Sequence, residues 1–218
     1  MANIFLHCAL DLWLAREFPD IRFERYADDA ILHCRSKARA HVVRDAIVKR
    51  LAQVGLELNL DKTRIVYCKD SNRSGSHEHE RFDFLGHTFR PRRARNSGGE
   101  SFVSFCPAVS DEAVKAIGRT IKRWRLHLRN GLTLAALARE INPIVRGWIN
   151  YYGRFYRSKL ISLLLRHIDE YLVRWAMRKY KRLRGRPRRA WRFLVTVAGR
   201  EPALFAHWQA GRAKPQAG

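Results

Sequence analysis

The residues best suited to chemistry are Asp28 and Asp29, set in the stretch FERYADDAILHC at positions 23–34. Two adjacent carboxylates repel each other and add nothing to an apolar core. Asp-Asp at a hairpin tip also has an ordinary structural use, since aspartate tolerates unusual turn geometry and bonds its own backbone. Three features favour a site. The pair follows an aromatic and a small residue, Tyr26-Ala27; both flanking runs are apolar enough to be half buried; and much of the chain is suited to polyanions. Carboxylate oxygens are hard ligands, and Mg²⁺ needs only one or two of them beside water and substrate phosphates. Two such ions can clamp the attacking and leaving oxygens of a phosphoryl transfer. Their charge would offset the carboxylate repulsion. Asp28 and Asp29 are therefore candidate catalytic and metal-binding residues.

Other candidate ligands are weaker. His77-Glu78-His79-Glu80 lies in the polar run DSNRSGSHEHER and lacks the H-E-x-x-H helical spacing, so it reads as a solvated loop. Cys8, Cys34, Cys68 and Cys106 are widely spaced, with no C-x-x-C pair. That pattern predicts reduced, partly buried thiols in a cytosolic protein rather than disulfides or a zinc knuckle. No apolar run approaches the length of a membrane span.

Several elements must position the carboxylates. Residues 2–17 predict a helix without a clear opening cap, apolar at Ile4, Leu6, Leu10 and Trp13 or Leu14. Runs 23–26 and 30–34 predict a hairpin around Ala27-Asp28-Asp29. Ser36 then caps a helix through about Val54, with Val43, Ile47, Leu51 and Val54 buried and Gly55 as its stop. Short strands are expected at 56–58 and 64–68, around Asn59-Leu60-Asp61-Lys62-Thr63, and again at 82–90 and 102–105.

From Ser110 the apolar period becomes helical. Val114, Ile117, Ile121, Trp124 and Leu128 mark one face of a helix ended by Asn130-Gly131. Thr133 caps the next helix, and Asn142-Pro143 reads as the start of a third, carrying Ile144, Val145, Trp148 and Tyr152. A long helix from about 158 to 184 is apolar at Ile161, Leu164, Leu165, Ile168, Leu172 and Trp175. The arginine-rich run RPRRAWR and a last short helix at 202–208 follow. The fold class predicted is α+β, an antiparallel sheet with helices and then an all-α bundle.

Charge divides along the same line. The formal net charge is +23, but residues 1–110 hold 18 basic and 14 acidic side chains while 111–218 hold 25 and 6. A nearly neutral half followed by a strongly basic half points to a polyanion-binding module. Residues 178–192 (RKYKRLRGRPRRAWR) alone carry nine Arg or Lys, among them Arg178, Lys179, Lys181 and Arg182, then Arg184, Arg186, Arg188 and Arg189. Lys122, Arg123, Arg146 and Arg174 add to them. Such side chains neutralise phosphates and release counterions; Tyr180 and Trp191 offer planes on which unpaired bases stack. With 46% hydrophobic residues and 11% aromatic ones, the chain can bury a core and is not of disordered composition.

The order of motifs resembles a known family. Tyr26-Ala27-Asp28-Asp29, then Gly55-Leu56-Glu57-Leu58-Asn59 with Lys62-Thr63, then Phe84-Leu85-Gly86, resembles the second half of a reverse transcriptase palm. Residues 141–152 (INPIVRGWINYY) and 173–180 (VRWAMRKY) resemble the maturase-specific thumb, or domain X, of group II intron-encoded proteins. The resemblance covers essentially the whole chain. It implies a palm part at 1–108 and a thumb/maturase part at 109–218. Asp28 and Asp29 would belong to the Mg²⁺-binding carboxylates of an RNA-directed DNA polymerase. Tyr26, Ala27 and Lys62 would lie near the incoming nucleotide, and Phe84, Leu85 and Gly86 would grip the primer terminus. Implied partners are group II intron RNA, an RNA template with its DNA primer, and target DNA.

The sequence also departs from the complete family pattern. Fingers, an earlier palm strand with another catalytic Asp, a Pro-Gln-Gly loop and a Cys/His-rich endonuclease module are not found in these residues. The expectation is a C-terminal part, not polymerase-competent alone, with the N-terminal half of the polymerase as a further partner. An RNA-binding maturase remnant that aids splicing without polymerising is the second reading, and a non-functional mobile-element fragment the third.

Overall fold

A computed structural model describes residues 2–73, 75–96 and 98–212, except for the Leu165 side chain, so that residue's place on the apolar face lies outside the description. Helices and two small antiparallel sheets make an α+β chain that divides into two compact units. One comprises Met1–Tyr67 with Gly75–Glu80, the other Cys68–Ser74 with Arg81–Gly218.

The first unit opens with helix α1 (Ala2–Leu6), a π turn (His7–Asp11) and helix α2 (Leu12–Glu17). Ala9, Leu10 and Leu14 are buried, whereas Ile4 is 71% exposed. A π turn inserts an extra residue and rotates what precedes it, so Ile4 leaves the predicted stripe. Strands β1 (Arg22–Tyr26) and β2 (Asp29–His33) form the hairpin, with Asp29 inside β2 and not in the loop as predicted. Helix α3 (Lys37–Gln53) is capped by Ser36, whose Oγ accepts from the Arg39 amide at 3.2 Å. Its Val43, Ile47 and Leu51 close on Leu10, Leu14 and Ile21.

Neither run 56–58 nor run 64–68 becomes a strand. Asn59 bends the chain instead: its carbonyl accepts from the Thr63 amide at 3.0 Å and its Oδ1 from the Lys62 amide at 3.1 Å. Without a partner ladder along these runs, β propensity has nothing to act on. The four cysteines are free; Cys8 is exposed and the others are half-buried.

In the second unit the predicted strand at 82–90 is a hairpin. β3 (Phe82–Phe84) turns at Leu85-Gly86 into β4 (His87–Arg95), which pairs with β5 (Ser101–Val109). Helix α4 (Asp111–Arg123) is capped by Ser110 and stops at Arg123, earlier than predicted. Arg125 at φ +46° breaks it, and the 3₁₀ turn Leu126–Leu128 buries Leu126 while leaving Leu128 46% exposed.

Helix α5 (Leu134–Tyr152) is capped by Thr133 and runs unbroken through Pro143. Asn142 starts no helix. Its amide nitrogen donates to the Leu204 carbonyl at 2.9 Å, and its Oδ1 accepts from the Ala206 amide at 2.9 Å. Helix α6 (Arg157–Lys179) ends before the 3₁₀ turn Lys181–Leu183, short of the predicted 184. The arginine-rich run is itself helical: α7 (Pro187–Arg200) starts on proline and buries Ala190 and Leu194. Helix α8 (Ala206–Arg212) closes the order. Fully buried Ile121, Leu137, Ile141, Leu164, Leu172 and Trp175 lie in one core built by α4 to α8 with Val109 of β5.

Candidate functional site

Tyr26 pairs with Asp29, leaving Ala27-Asp28 as a two-residue loop between β1 and β2. Ala27 has φ +53°, a region in which a Cβ is crowded by the backbone. Such a residue costs roughly 1–3 kcal/mol and persists only where its surroundings fix it. Arg25 does the fixing. Its Nη1 donates to the Ala27 carbonyl at 2.7 Å, while Nε and Nη2 donate to the two carboxylate oxygens of Asp11, each at 2.7 Å. The pair is largely buried, with 11% of the Arg25 side chain and 14% of the Asp11 side chain exposed. The Arg25 hydrogen bond holds the Asp11 carboxyl below its ordinary range, against the opposing effect of burial. The hairpin tip is thus braced against the helical entry of its own unit.

Asp28 and Asp29 are exposed at this tip, and neither side chain makes a hydrogen bond or ion pair among the described residues. Tyr26 beside them is 64% exposed. The donor set suits a hard cation in kind, two carboxylates on a braced turn. Among the described residues no group of three or more His, Cys, Asp or Glu side chains could hold a metal, so water and phosphate oxygens would supply the other ligands. Lys62, in the same unit, is exposed just past the Asn59 bend.

Phe84, Leu85 and Gly86 fall in the other unit and are held by α5. Leu85 and Gly86 have φ +48° and +71°, so both central residues of this two-residue turn are left-handed. The Tyr151 hydroxyl donates to the Leu85 carbonyl at 2.9 Å. A Cβ on Gly86 would stand 3.0 Å from the Tyr152 hydroxyl. The ring of buried His87 lies 5.3 Å from both tyrosine rings, and Tyr156 donates to the Arg93 carbonyl at 2.7 Å. Sequence reading missed Arg25 with Asp11 and the tyrosine clamp. The Tyr151-Tyr152 doublet was visible, but the strand turn it holds lies 66 residues away.

The predicted phosphate-binding residues divide by exposure. Lys122, Arg123, Arg146, Arg174, Arg178, Lys181 and Arg182 are exposed, as are Arg184, Arg186, Arg188 and Arg189. Lys179 is half-buried and donates to the Asn130 and Leu132 carbonyls at 2.8 and 3.0 Å. Tyr180 is half-buried and packs in T-shaped contacts with Trp175 and Phe193, whereas Trp191 is 47% exposed. Carboxylates are scarce here. Asp111 pairs with Lys159, Glu140 with Arg129, and Asp169 is taken up by His207 and Trp208. The Lys159 ammonium accordingly holds Asp111 below its usual range.

Residues 1–89 match the reverse transcriptase (RNA-dependent DNA polymerase) family. Residues 114–194 match the group II intron, maturase-specific domain. The chain belongs to the group II intron reverse transcriptases/maturases. The reverse transcriptase match contains both hairpin carboxylates, Lys62 and the Leu85-Gly86 turn. The maturase match contains all the predicted phosphate-binding residues from Lys122 to Arg189, and Trp191. Chemistry dependent on divalent metal comes with the reverse transcriptase family. No curated protein matches the chain closely enough to count as a relative. Among the described residues no helix is long and apolar enough to cross a membrane.

Proposed function

We propose that this reverse transcriptase/maturase binds group II intron RNA through the exposed basic side chains of its helical unit, helping the RNA fold for splicing. On the same reading, residues 1–108 act as the second half of a palm and 109–218 as the thumb. The observation that carries the proposal is the set of eleven exposed Lys and Arg side chains with no carboxylate partner among the described residues. Unpaired cations at this density suit a phosphate backbone, where they contribute affinity without reading sequence.

The hairpin has a second role in the proposal. Asp28 and Asp29 would hold Mg²⁺, which when bound supplies charge neutralisation for RNA-directed DNA synthesis. Arg25 keeps the two carboxylates in place through Ala27. Lys62 contributes a positive charge for the phosphates of the incoming nucleotide. The Leu85-Gly86 turn, held by Tyr151, orients the primer terminus of a template–primer duplex. The same surfaces would meet target DNA.

Splicing assistance without polymerisation is the second reading. It is favoured by the exposed, unpaired basic side chains, which lie within the residues matched to the maturase-specific domain. Two measurements on the purified chain test the proposal. A folded group II intron transcript should be bound at least about tenfold more tightly than an unrelated RNA of equal length, within the range of specificity that protein–nucleic acid interfaces achieve. Equal affinity would remove the intron from the reading. Primer extension on an RNA template should be undetectable for the chain alone, and Mg²⁺-dependent extension abolished by Asp28→Asn would establish polymerisation instead.

A further inference from the structure

The helical unit contains a groove of about 570 Å³ that a merely basic surface does not explain. One wall is the last part of α6, with Arg174, Met177 and Arg178; the other is His127 of the 3₁₀ turn and Asn130, and Arg184 closes the end. Its volume is that of a small-ligand site, and it is widely open to solvent. No carboxylate lines it, and none of the three guanidiniums makes an ion pair among the described residues. Arg174 and Arg178 are one helical turn apart, where like charges destabilise a helix. An anion seated between them would relieve that repulsion.

The groove is also preformed. Trp175 Nε1 donates to the Arg129 carbonyl at 3.2 Å, and Lys179 Nζ to the Asn130 carbonyl at 2.8 Å, so the His127 wall is fastened to α6. Arg174 lies 5.2 Å over the Tyr171 ring, and the His127 ring is 5.5 Å from the same ring. Burial, and then the charges of Arg178, Arg174 and Arg125, push the His127 imidazole below its ordinary pKa. The His127 ring, whose Nδ1 is buried without a hydrogen-bond partner among the described residues, and the Met177 side chain thus form a floor beneath a guanidinium rim.

We infer that this groove receives one unpaired nucleotide of the bound RNA, its phosphate held by Arg174, Arg178 and Arg184 and its base against Met177 and His127. The inference rests on the RNA-binding reading above. A continuous duplex backbone reaches the rim but leaves the floor empty, because its bases are stacked inside the helix. An extruded nucleotide satisfies both, and unpaired bases are where proteins recognise RNA most specifically.

The test uses the full chain and two RNA hairpins that differ only by a single-nucleotide bulge, with affinities read by fluorescence anisotropy. The bulged hairpin should bind about tenfold more tightly, the scale of one stacked base. Met177→Ala and the pair Arg174→Gln with Arg178→Gln should each abolish that preference. Arg188→Gln with Arg189→Gln, outside the groove, should weaken both hairpins equally and keep the ratio. Equal binding of the two hairpins by the unsubstituted chain, or a ratio that survives the groove substitutions, overturns the inference while leaving RNA binding intact. Failure to bind either hairpin overturns the RNA-binding reading and the groove with it.

Discussion

The Tyr151 hydroxyl donates to the Leu85 carbonyl at 2.9 Å, across 66 residues of sequence. This bond ties the last turn of α5 to the tip of the β3–β4 hairpin. The adjacent Tyr152 hydroxyl stands 3.0 Å from the position of a Cβ on Gly86. A bulky residue at φ +48° and a glycine at φ +71° are thereby held in one conformation. The motif Phe84-Leu85-Gly86 is therefore positioned by the helical part of the chain, and its glycine is needed twice, for backbone angle and for space.

Gly86→Ala should destabilise the protein by about 1–3 kcal/mol, the range for a strained left-handed residue, with the Tyr152 contact adding to it. Tyr151→Phe should cost about 0.5–1.5 kcal/mol through the lost hydrogen bond. Denaturant unfolding checks both. In a double-mutant cycle, Tyr152→Ala should recover part of the Gly86→Ala loss. Strict additivity of those two changes would show that Tyr152 does not confine the turn.

The Asp11–Arg25 pair makes a pH-dependent prediction. Asp11 is depressed in the folded state, so its contribution is present above the unfolded carboxyl value of about 3.9 and is lost as pH falls through the folded value. The stability gap between the unsubstituted chain and Asp11→Asn should be level from about pH 7 to 5 and close below about pH 4. Unfolding midpoints over that series test it. A gap that persists unchanged to about pH 2 would deny the ion pair its part.

Much of the architecture was legible. Ser36, Ser110 and Thr133 each sit before an apolar helical period, and each caps a helix through its hydroxyl. The hairpin carrying Asp28 and Asp29 was legible too, because its strands alternate around a turn dipeptide. What failed was local signal overruled by tertiary partners. Asn142-Pro143 has the look of a helix start, yet the Asn142 amide is spent on Leu204 and Ala206, and α5 runs through the proline. Helix α7 was hidden by its arginines, since only Ala190 and Leu194 are fully buried along it. The Arg25 brace could not be read at all. It joins Asp11 to Ala27 through one side chain, and no periodicity encodes that.

Asp169 is the polar anchor of α8. Its Oδ1 accepts from His207 Nε2 at 3.1 Å and from Trp208 Nε1 at 2.8 Å, in a region where His207 is fully buried. Asp169→Ala leaves two buried donors without an acceptor and should cost about 1–3 kcal/mol for each. Asp169→Asn keeps an acceptor oxygen and should cost less. If the two variants unfold at the same denaturant concentration, the hydrogen bonds are not what docks α8.

The central claim is that exposed arginines and lysines of the helical unit grip RNA through its phosphates. The salt dependence of RNA binding by the full chain tests it most directly. If six or more phosphates are neutralised, the logarithm of the association constant should fall against the logarithm of salt concentration with a slope of about −4 or steeper. Replacing Arg186, Arg188 and Arg189 with glutamine should flatten that slope by roughly 2. A slope shallower than about −1, or one the triple replacement leaves unchanged, would contradict the account.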